Sequence, residues 1–297
     1  MISKYPLTRS LKGLFNFVDI GGWQKWFGAA VLGFAFALDF KNHFSLLQLQ
    51  GLVVGIALVL CYIQSLNDYF DVGIDKKKEE IMGKELIVSK VISTKTALTV
   101  ILSVLLVGLI SAWITSVSLL VLTLAAAFFG TIYSAPPLRL KMKYPYSTLV
   151  QFASCFLPFL GGVAVLDNIS IQAAIISSIF AVLTVFHRFM HEIQNYKADF
   201  LTGKRTIAVV KGLKTTETLA KLSVAVGLVE FSIFYVLGWL TPIFALFFVL
   251  YLIICIAPWN WLMYMPQPVK KAFAPMIKVS GFALLLVVLL VHTHVII

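Results

Sequence analysis

The sequence predicts an all-α fold, a polytopic membrane bundle of about nine helices around a central cavity that faces the cytoplasm. Of its 297 residues, 60% are hydrophobic and only 12% are charged, whereas soluble domains carry about 25% charged residues. The apolar residues also fall into stretches near the roughly 20 residues that a helix needs to cross a bilayer. We therefore expect an integral membrane protein with one domain over residues 1–297.

Nine apolar stretches are predicted as membrane spans. An odd number of spans places the two termini on opposite sides of the bilayer. Residues 1–22 lack the compact apolar core and small-residue cleavage site of a signal peptide, so we expect the first span to anchor the chain. In order, the spans are 24–40, 45–66, 96–115, 117–133, 147–166, 171–190, 217–239, 241–257 and 275–296.

The basic residues predict the orientation, because short cytoplasmic loops hold most Lys and Arg. With the N-terminus inside, every Lys and Arg except Lys41 lies in or beside an inward-facing segment. The long loops 67–95, 191–216 and 258–274 then lie on the cytoplasmic side, and the C-terminus lies outside. The net charge of +11 follows from this topology and from an anion-attracting cytoplasmic face, and nucleic acid is not expected as a partner. In a prokaryote the membrane would be the plasma membrane.

Two segments on the predicted cytoplasmic side share one spacing of polar residues. They are NDYFDVGID at residues 67–75 and HEIQNYKAD at residues 191–199, and a Gly-Lys pair follows each of them. Internal repeats place binding sites at the interface between the halves of a membrane protein. The matched pairs are Asn67 with His191, Asp68 with Glu192, Asp71 with Asn195, and Asp75 with Asp199.

The first segment continues the helix of its span, so residues four apart share one face. Asn67, Asp71 and Asp75 then form a polar stripe ~12 Å long at about 1.5 Å per residue. Neighbouring carboxylates repel one another, and Mg²⁺ is commonly held by one or two carboxylates plus substrate phosphates. A single Asp in this position has a simpler interpretation, as a solvated residue at a helix end. That interpretation does not explain two matched segments that use five of the 13 acidic residues.

These motifs resemble those of the UbiA-type superfamily of intramembrane prenyltransferases. Residues 67–75 match that family's N-D-x-x-D-x-x-x-D signature, residues 191–199 match its second Asp-rich motif, and YSAPPLRLK at residues 133–141 matches its loop after the fourth span. The resemblance implies Mg²⁺ as cofactor and an isoprenyl diphosphate as substrate. The predicted metal ligands are Asn67, Asp71, Asp75, Glu192, Asn195 and Asp199.

The basic residues beside the motifs are predicted to bind the diphosphate, because Lys and Arg form strong charge-assisted hydrogen bonds with phosphate oxygens. Asp71, Asp75 and Tyr133 are the predicted catalytic residues, with Tyr133 or Tyr69 near the allylic carbocation. The predicted substrate-binding residues are Asn67, Asp68, Lys84, Arg139, Lys141, Lys204 and Arg205.

The sequence departs from the family pattern at three places. Asn195 stands where the second motif usually has Asp, and Phe200 stands where an Arg often follows its last Asp. The Arg-Pro pair often found before the first span is replaced by GGWQKW, in which Lys25 is a candidate for the same diphosphate contact.

Three functions agree with the sequence. The first is transfer of an isoprenyl group to a lipophilic acceptor in the bilayer, with a small preference for an aromatic or ring-containing acceptor from the likeness of YSAPPLRLK to such family members. The second is cyclisation or hydration of an isoprenoid without a separate acceptor. The third is ion transport, which the position of the acidic residues at one face of the membrane disfavours. Donor chain length and oligomeric state stay open.

The Asn195→Asp substitution restores the usual carboxylate of the second motif. A carboxylate binds Mg²⁺ more strongly than an amide does, so we expect preserved activity or a lower Mg²⁺ requirement. A Mg²⁺ titration of diphosphate release from an isoprenyl diphosphate measures this. A clear loss of activity would assign Asn195 another role.

Overall fold

The described part of the chain is almost entirely helical. The computed structural model describes residues 23–41, 43–82, 94–258 and 279–292, with 265–266, 268–269, 272–273 and 276 between the last two ranges. Side chains are described in these ranges except at 40–41 and 72–82. Within them the β-structure amounts to one isolated parallel bridge between Lys143 and Arg205.

The helices follow the order of the predicted spans. The α-helices are α1 Gln24–Lys41, α2 Leu46–Gln50, α3 Ala57–Met82, α4 Thr94–Thr115, α5 Val117–Ser134, α6 Tyr146–Val165, α7 Ile171–Gln194, α8 Tyr196–Leu201, α9 Ile207–Lys211, α10 Leu213–Val236, α11 Pro242–Tyr251 and α12 Ser280–His292. A π-helical stretch, Gly51–Ile56, joins α2 to α3, and a second, Leu252–Ile256, extends α11. A 3₁₀ turn, Leu140–Met142, lies between α5 and α6.

Six helical segments within the described ranges are long and apolar enough to cross a membrane. Pro242–Ile256 and Ser280–His292 are shorter apolar helices, and α1 covers the first predicted span. The all-helical membrane class is therefore confirmed, while the count of nine spans stays a prediction. The six segments are Leu46–Asp71, Thr94–Thr115, Val117–Ser134, Tyr146–Val165, Ile171–Gln194 and Leu213–Val236.

Hydroxyl side chains fix the starts of four helices at the short connections. Ser116 accepts a hydrogen bond from Leu119 N at 3.1 Å, and Ser170 accepts one from Ala173 N at 3.0 Å. Such N-caps satisfy backbone N–H groups that the first helical turn leaves without partners. Ser45 caps α2 and Thr241 caps α11 in the same way.

Helix α6 is central to the bundle, since it packs against α1, α5 and α7. Its crossing with α1 is close because glycine stands on both sides. A Cβ atom on Gly33 would collide with the carbonyl oxygen of Phe159, and one on Gly162 would collide with that of Ala30. Small residues let the backbones of membrane helices approach closely, so this crossing fixes α1 beside α6.

Aromatic side chains fill the core between α1, α6, α7 and α11. Phe159 stacks on Phe180 with 5.0 Å between ring centroids, and Phe27, Phe34 and Phe244 are fully buried. On α4 and α10, by contrast, many large apolar side chains are exposed, as suits helices that face lipid. The aromatic core therefore packs α1, α6, α7 and α11 against one another.

Gly162→Ala is expected to lower the stability by about 2 kcal/mol or more, because overpacking against a backbone atom forces the helices apart. Gly161→Ala is the matched control, since its Cβ would meet the flexible Ile56 side chain at 3.2 Å. Thermal unfolding of both variants in detergent measures the difference. Equal midpoints for the two variants would show that α1 and α6 do not depend on this close approach.

Candidate active site

The first motif lies on α3 and faces the loop that follows α5. The Lys141 ammonium lies 2.7 Å from Asp71 Oδ1 and donates to Asn67 Oδ1 at 2.8 Å. Ser134 Oγ donates to the same Asn67 oxygen at 3.2 Å. Asn67 and Asp71 share one face of the helix, and their oxygens converge on a single cationic group.

Arg139 adds a second cation to the same carboxylate. Its Nη2 atom lies 3.3 Å from Asp71 Oδ1 and donates to Phe70 O at 2.7 Å. The Lys141 side chain is only 3% exposed. Burial lowers the pKa of Lys141 to about 8, and the Asp71 carboxylate opposes that shift. Lys141 is thus mostly charged at neutral pH, so two cations surround one carboxylate and the cluster attracts anions.

The remaining residues predicted at the first motif are Asp68, Tyr69, Asp75 and Lys84. Asp68 Oδ1 accepts from Gln64 Nε2 at 3.0 Å, one turn back along α3. Tyr69, weighed with Tyr133 for the carbocation, packs edge-on against Phe70 at 5.2 Å between centroids. The side chain of Asp75 and all of Lys84 lie outside the described residues, so their predicted roles stay predictions.

In the second motif, Glu192 is buried, with 1% of its side chain exposed. Its Oε1 atom accepts from Arg188 Nε at 2.6 Å, and its Oε2 atom accepts from Ile207 N at 3.0 Å. Arg188 Nη1 also donates to the Tyr133 hydroxyl at 2.9 Å. Both carboxylate oxygens thus accept hydrogen bonds from protein groups. A metal ion bound to Glu192, as the sequence predicts, would compete with these donors.

Asn195 ends α7 and Asp199 lies on the short helix α8. Asn195 Nδ2 donates to His191 O at 2.8 Å, so this amide partly serves its own helix end. Asp199 is buried, and Lys204 Nζ lies 3.5 Å from its Oδ1 atom. Gly203 has φ 73°, a left-handed conformation that glycine adopts readily, and it returns the chain so that Lys204 N donates to Asp199 O at 2.9 Å.

Backbone hydrogen bonds join the loop after α5 to the loop after α8. Tyr144 N donates to Arg205 O at 2.8 Å, and Arg205 N donates to Met142 O at 3.0 Å. The Arg205 side chain itself is exposed. Lys141 and Lys204 are therefore carried on two loops that are tied to each other close to both residues.

A cavity of about 510 Å³ lies between α1, α3, α5, α6 and α7. Its polar lining includes three residues that the sequence analysis named as candidate site residues, Asn67, Tyr133 and Lys25. The other polar lining residues are Gln64, Gln151, Ser154, His187, Arg188 and His191. Among the residues that the structure describes, no Asp or Glu lines the cavity. The apolar lining consists of Trp26, Leu60, Ile63, Ala126, Phe129, Gly130, Val150, Ala153, Leu157 and Pro158. The cavity is thus polar and basic at one side and apolar at the other.

Sequence reasoning missed Arg188 as a site residue. A usable signal was present, because Arg188 is a charged residue inside a predicted apolar span and stands four residues before Glu192. Ionisable groups within membrane segments face the bundle interior and pair with one another. Gln151 and Ser154 of α6 also line the cavity, and their uncharged side chains gave no comparable signal.

The fold and the site define an integral membrane enzyme with a basic site beside an apolar cavity. The sequence model of the UbiA prenyltransferase family matches residues 27–289. The chain belongs to this family, and it is a prenyltransferase.

Three curated enzymes illustrate the range of its relatives. Digeranylgeranylglyceryl phosphate synthase of Saccharolobus solfataricus is 25% identical over 232 residues, 78% of each protein. Protoheme IX farnesyltransferase 1 of Vibrio campbellii is 27% identical over 197 residues, 64% of this chain and 66% of its own. Chlorophyll synthase of Arabidopsis thaliana is 24% identical over 220 residues, 70% of this chain and 55% of its own, so the match spans about half of that enzyme.

Solved structures share the fold at low sequence identity. A UbiA homolog from Archaeoglobus fulgidus bound to DMAPP and Mg²⁺ superposes with a TM-score of 0.69 at 16% identity, covering 91% of this chain and 97% of its own. The apo UbiA homolog from Aeropyrum pernix K1 gives 0.63 at 13% identity, with 91% and 98% covered. The helical arrangement is therefore that of the family.

The donor atoms of the first motif fit a magnesium ion. Among the described residues no group of three or more His, Cys, Asp or Glu side chains is placed to hold a metal. Mg²⁺ in phosphate-binding sites, however, needs only one or two carboxylates, with substrate oxygens and waters completing the shell. The convergence of Asn67 Oδ1 and Asp71 Oδ1 on the Lys141 ammonium marks a position that favours a cation.

Lys141→Met is expected to raise the KM for an isoprenyl diphosphate by about 10- to 100-fold, since hydrogen bonds to charged groups contribute roughly 1.5 to 3 kcal/mol. Lys143→Met is the matched control, because Lys143 lies two residues away and its side chain is exposed. Steady-state kinetics of diphosphate release compares the two variants. Equal KM values would exclude Lys141 from the diphosphate site.

Proposed function

We propose that this enzyme moves an isoprenyl group from an isoprenyl diphosphate to a lipophilic, ring-containing acceptor, in a Mg²⁺-dependent reaction that releases diphosphate. One observation carries the proposal. Two cations surround the Asn67 and Asp71 oxygens, and Asn67 also lines a cavity whose other side is apolar. An isoprenyl diphosphate has matching parts, an anionic head and a long hydrocarbon tail.

The diphosphate head is assigned to the basic groups beside the two motifs. Lys141 and Arg139 contribute from the loop after α5, and Lys204 contributes from the loop after α8. Each of these cations is already near a carboxylate. A diphosphate in this position would share the cations with Asp71 and Asp199, and the backbone bonds between the loops hold the cations in place. Lys25, which also lines the cavity, adds a further positive charge.

The hydrocarbon tail is assigned to the apolar side of the cavity. A small second cavity begins where that side ends, since Leu60, Ala126, Leu157 and Pro158 line both. Its remaining lining, from Ile56 to Gly161, is mostly apolar and leads further into the bundle. Burial of apolar surface contributes about 25 cal/mol per Å², so the tail supplies binding energy that the exposed loops do not.

The metal ligands are proposed as Asn67, Asp71 and Asp75 for the first motif and Asp199 and Asn195 for the second. Glu192 is a further candidate, whose two oxygens already accept hydrogen bonds from Arg188 and Ile207. When bound, Mg²⁺ would neutralise diphosphate charge and so favour breaking of the allylic C–O bond. The protein's own part is to keep water from the carbocation that forms. Phe129 and Trp26 line the cavity, and Tyr133 presents an aromatic ring at its polar side, where rings stabilise cations.

The acceptor is proposed to carry a ring. The loop sequence YSAPPLRLK resembles that of members with ring acceptors, and chlorophyll synthase and a protoheme IX farnesyltransferase are among the similar enzymes. Digeranylgeranylglyceryl phosphate synthase is also similar. A glycerol phosphate is therefore the alternative acceptor class that the experiment distinguishes. The site and the N-terminus are proposed to lie on the cytoplasmic side, and the C-terminus outside, because the Lys and Arg residues cluster beside the motifs.

Diphosphate release by the detergent-purified protein tests the function. Geranyl, farnesyl and geranylgeranyl diphosphates are supplied with a membrane lipid extract, with Mg²⁺ or with EDTA. Release that needs both Mg²⁺ and the extract is expected, and fractionating the extract separates ring acceptors from glycerol phosphates. Release without the extract would instead indicate cyclisation or hydrolysis, and folded protein that releases nothing would contradict the proposal.

Asp71→Asn is expected to lower the Mg²⁺-dependent rate at least about 100-fold, since it removes charge at the reacting centre while keeping the side-chain shape. Asp167→Asn is the control. Asp167 is exposed at the opposite end of α6, and its φ of 54° is one that Asn tolerates. An Asp71→Asn enzyme with most of its activity would remove Asp71 from the metal site.

A further inference from the structure

A series of three polar side chains runs from the second motif to the cavity. Glu192 is its buried end, held by Ile207 N at 3.0 Å and Arg188 Nε at 2.6 Å. The N–H of Ile207 is at the start of α9, where the helix supplies no partner of its own. Glu192 therefore fixes the Arg188 guanidinium relative to two helices, α7 and α9.

Arg188 is nine-tenths buried, with 10% of its side chain exposed. Its Nε atom bonds to Glu192 and its Nη1 atom donates to the Tyr133 hydroxyl at 2.9 Å. The guanidinium is planar and rigid, so two bonds to it determine its orientation. Arg188 thereby links Glu192 on α7 to Tyr133 on α5, and the position of Glu192 determines where the guanidinium contacts the Tyr133 hydroxyl.

Tyr133 accepts this hydrogen bond with its phenolic oxygen. A guanidinium has no acceptor, so the phenol's own proton must point elsewhere. Within the part of the chain that the structure describes, no group accepts that proton, and Tyr133 lines the cavity. The Arg188 bond therefore leaves the O–H directed at whatever molecule fills the cavity, and the adjacent positive charge makes it a stronger donor.

We propose that Arg188 and Glu192 are positioning residues, which direct the Tyr133 hydroxyl to donate a hydrogen bond to the diphosphate of the donor substrate. The inference rests on the proposed function. Asn67 of the first motif and Tyr133 line the same cavity. A diphosphate bound at that motif thus lies beside Tyr133, and its charged oxygens accept hydrogen bonds more strongly than neutral groups do.

The bond acts on the leaving group without transferring a proton. As the allylic C–O bond breaks, its electron pair passes to the departing diphosphate oxygen, where negative charge grows. A donor aimed at that oxygen binds it more strongly in the transition state than in the ground state, and only such differential binding raises the rate. Loss of the donor should consequently lower kcat more than it raises KM.

A double-mutant cycle tests whether Arg188 acts through Tyr133. Tyr133→Phe, Arg188→Lys and the double variant are compared for release of diphosphate from the isoprenyl diphosphate on which the wild type is fastest. Each single variant is expected to lower kcat about 10- to 100-fold, and the double variant to stay within about 3-fold of the slower single one, because coupled residues are not additive. Effects that multiply, or a Tyr133→Phe enzyme of normal rate, would overturn the inference.

Glu217→Gln provides the matched control. Glu217 and Lys221 form an ion pair with the same four-residue spacing at 2.7 Å, but both side chains are more than half exposed, and kcat should stay unchanged. Glu192→Gln should reproduce part of the Arg188→Lys loss. Thermal midpoints in detergent identify any variant that fails to fold, and Tyr133→Phe, which removes only a hydroxyl, keeps the test available in that case.

Binding of inorganic diphosphate with Mg²⁺, followed by titration calorimetry, separates this inference from the proposed function. Tyr133→Phe and Arg188→Lys should each raise the Kd several-fold above that of the wild type and of Glu217→Gln. A wild-type protein that binds no diphosphate would overturn both proposals. Wild-type binding that both variants retain in full would overturn the Tyr133 contact and leave the prenyl transfer standing.

Discussion

The contact of Lys141 with Asn67 and Asp71 is the interaction on which the candidate site depends. It brings the loop after α5 onto the middle of α3, and it places Arg139 beside the same carboxylate. Lys141 is nearly buried, so its charge and that of Asp71 stabilise each other. Removing one partner of a buried pair leaves the other charge uncompensated, which costs about 3 to 5 kcal/mol of stability. The cluster thus combines a structural tie with a cationic surface for an anion.

Pairing of opposite charges accounts for the arrangement of the charged residues at the site. Asp71 lies between Lys141 and Arg139, Glu192 lies against Arg188, and Asp199 lies against Lys204. At the border of the hydrocarbon such pairing is needed, because an isolated charge is poorly solvated there. The acidic residues keep the basic ones in place, while the cavity lining that the structure describes contains basic and neutral groups without an acid. The described lining of the cavity therefore suits an anionic group.

Composition and periodicity predicted the helical membrane class, and the family resemblance predicted the fold that the comparisons confirm. Side-chain partners were harder to predict. The stripe of Asn67 and Asp71 follows from helical spacing alone, but their meeting with Lys141 depends on a loop whose conformation no periodicity encodes, including the left-handed backbone of Arg139. The local pairing of Arg188 with Glu192 could have been predicted, but its contact with Tyr133 could not, because the two residues are 55 positions apart in sequence. Residues in contact across helices leave no local pattern.

The parallel bridge between Lys143 and Arg205 makes the joint between the two loops independent of side-chain identity. Both of its hydrogen bonds run from a backbone N–H to a backbone carbonyl, so almost any residue can stand at these positions without breaking them; proline at 144 or 205 is the exception, because it lacks the donor. Substitutions of the loop side chains can then change the substrate preference, while the backbone hydrogen bonds keep the spacing between the two halves of the site constant.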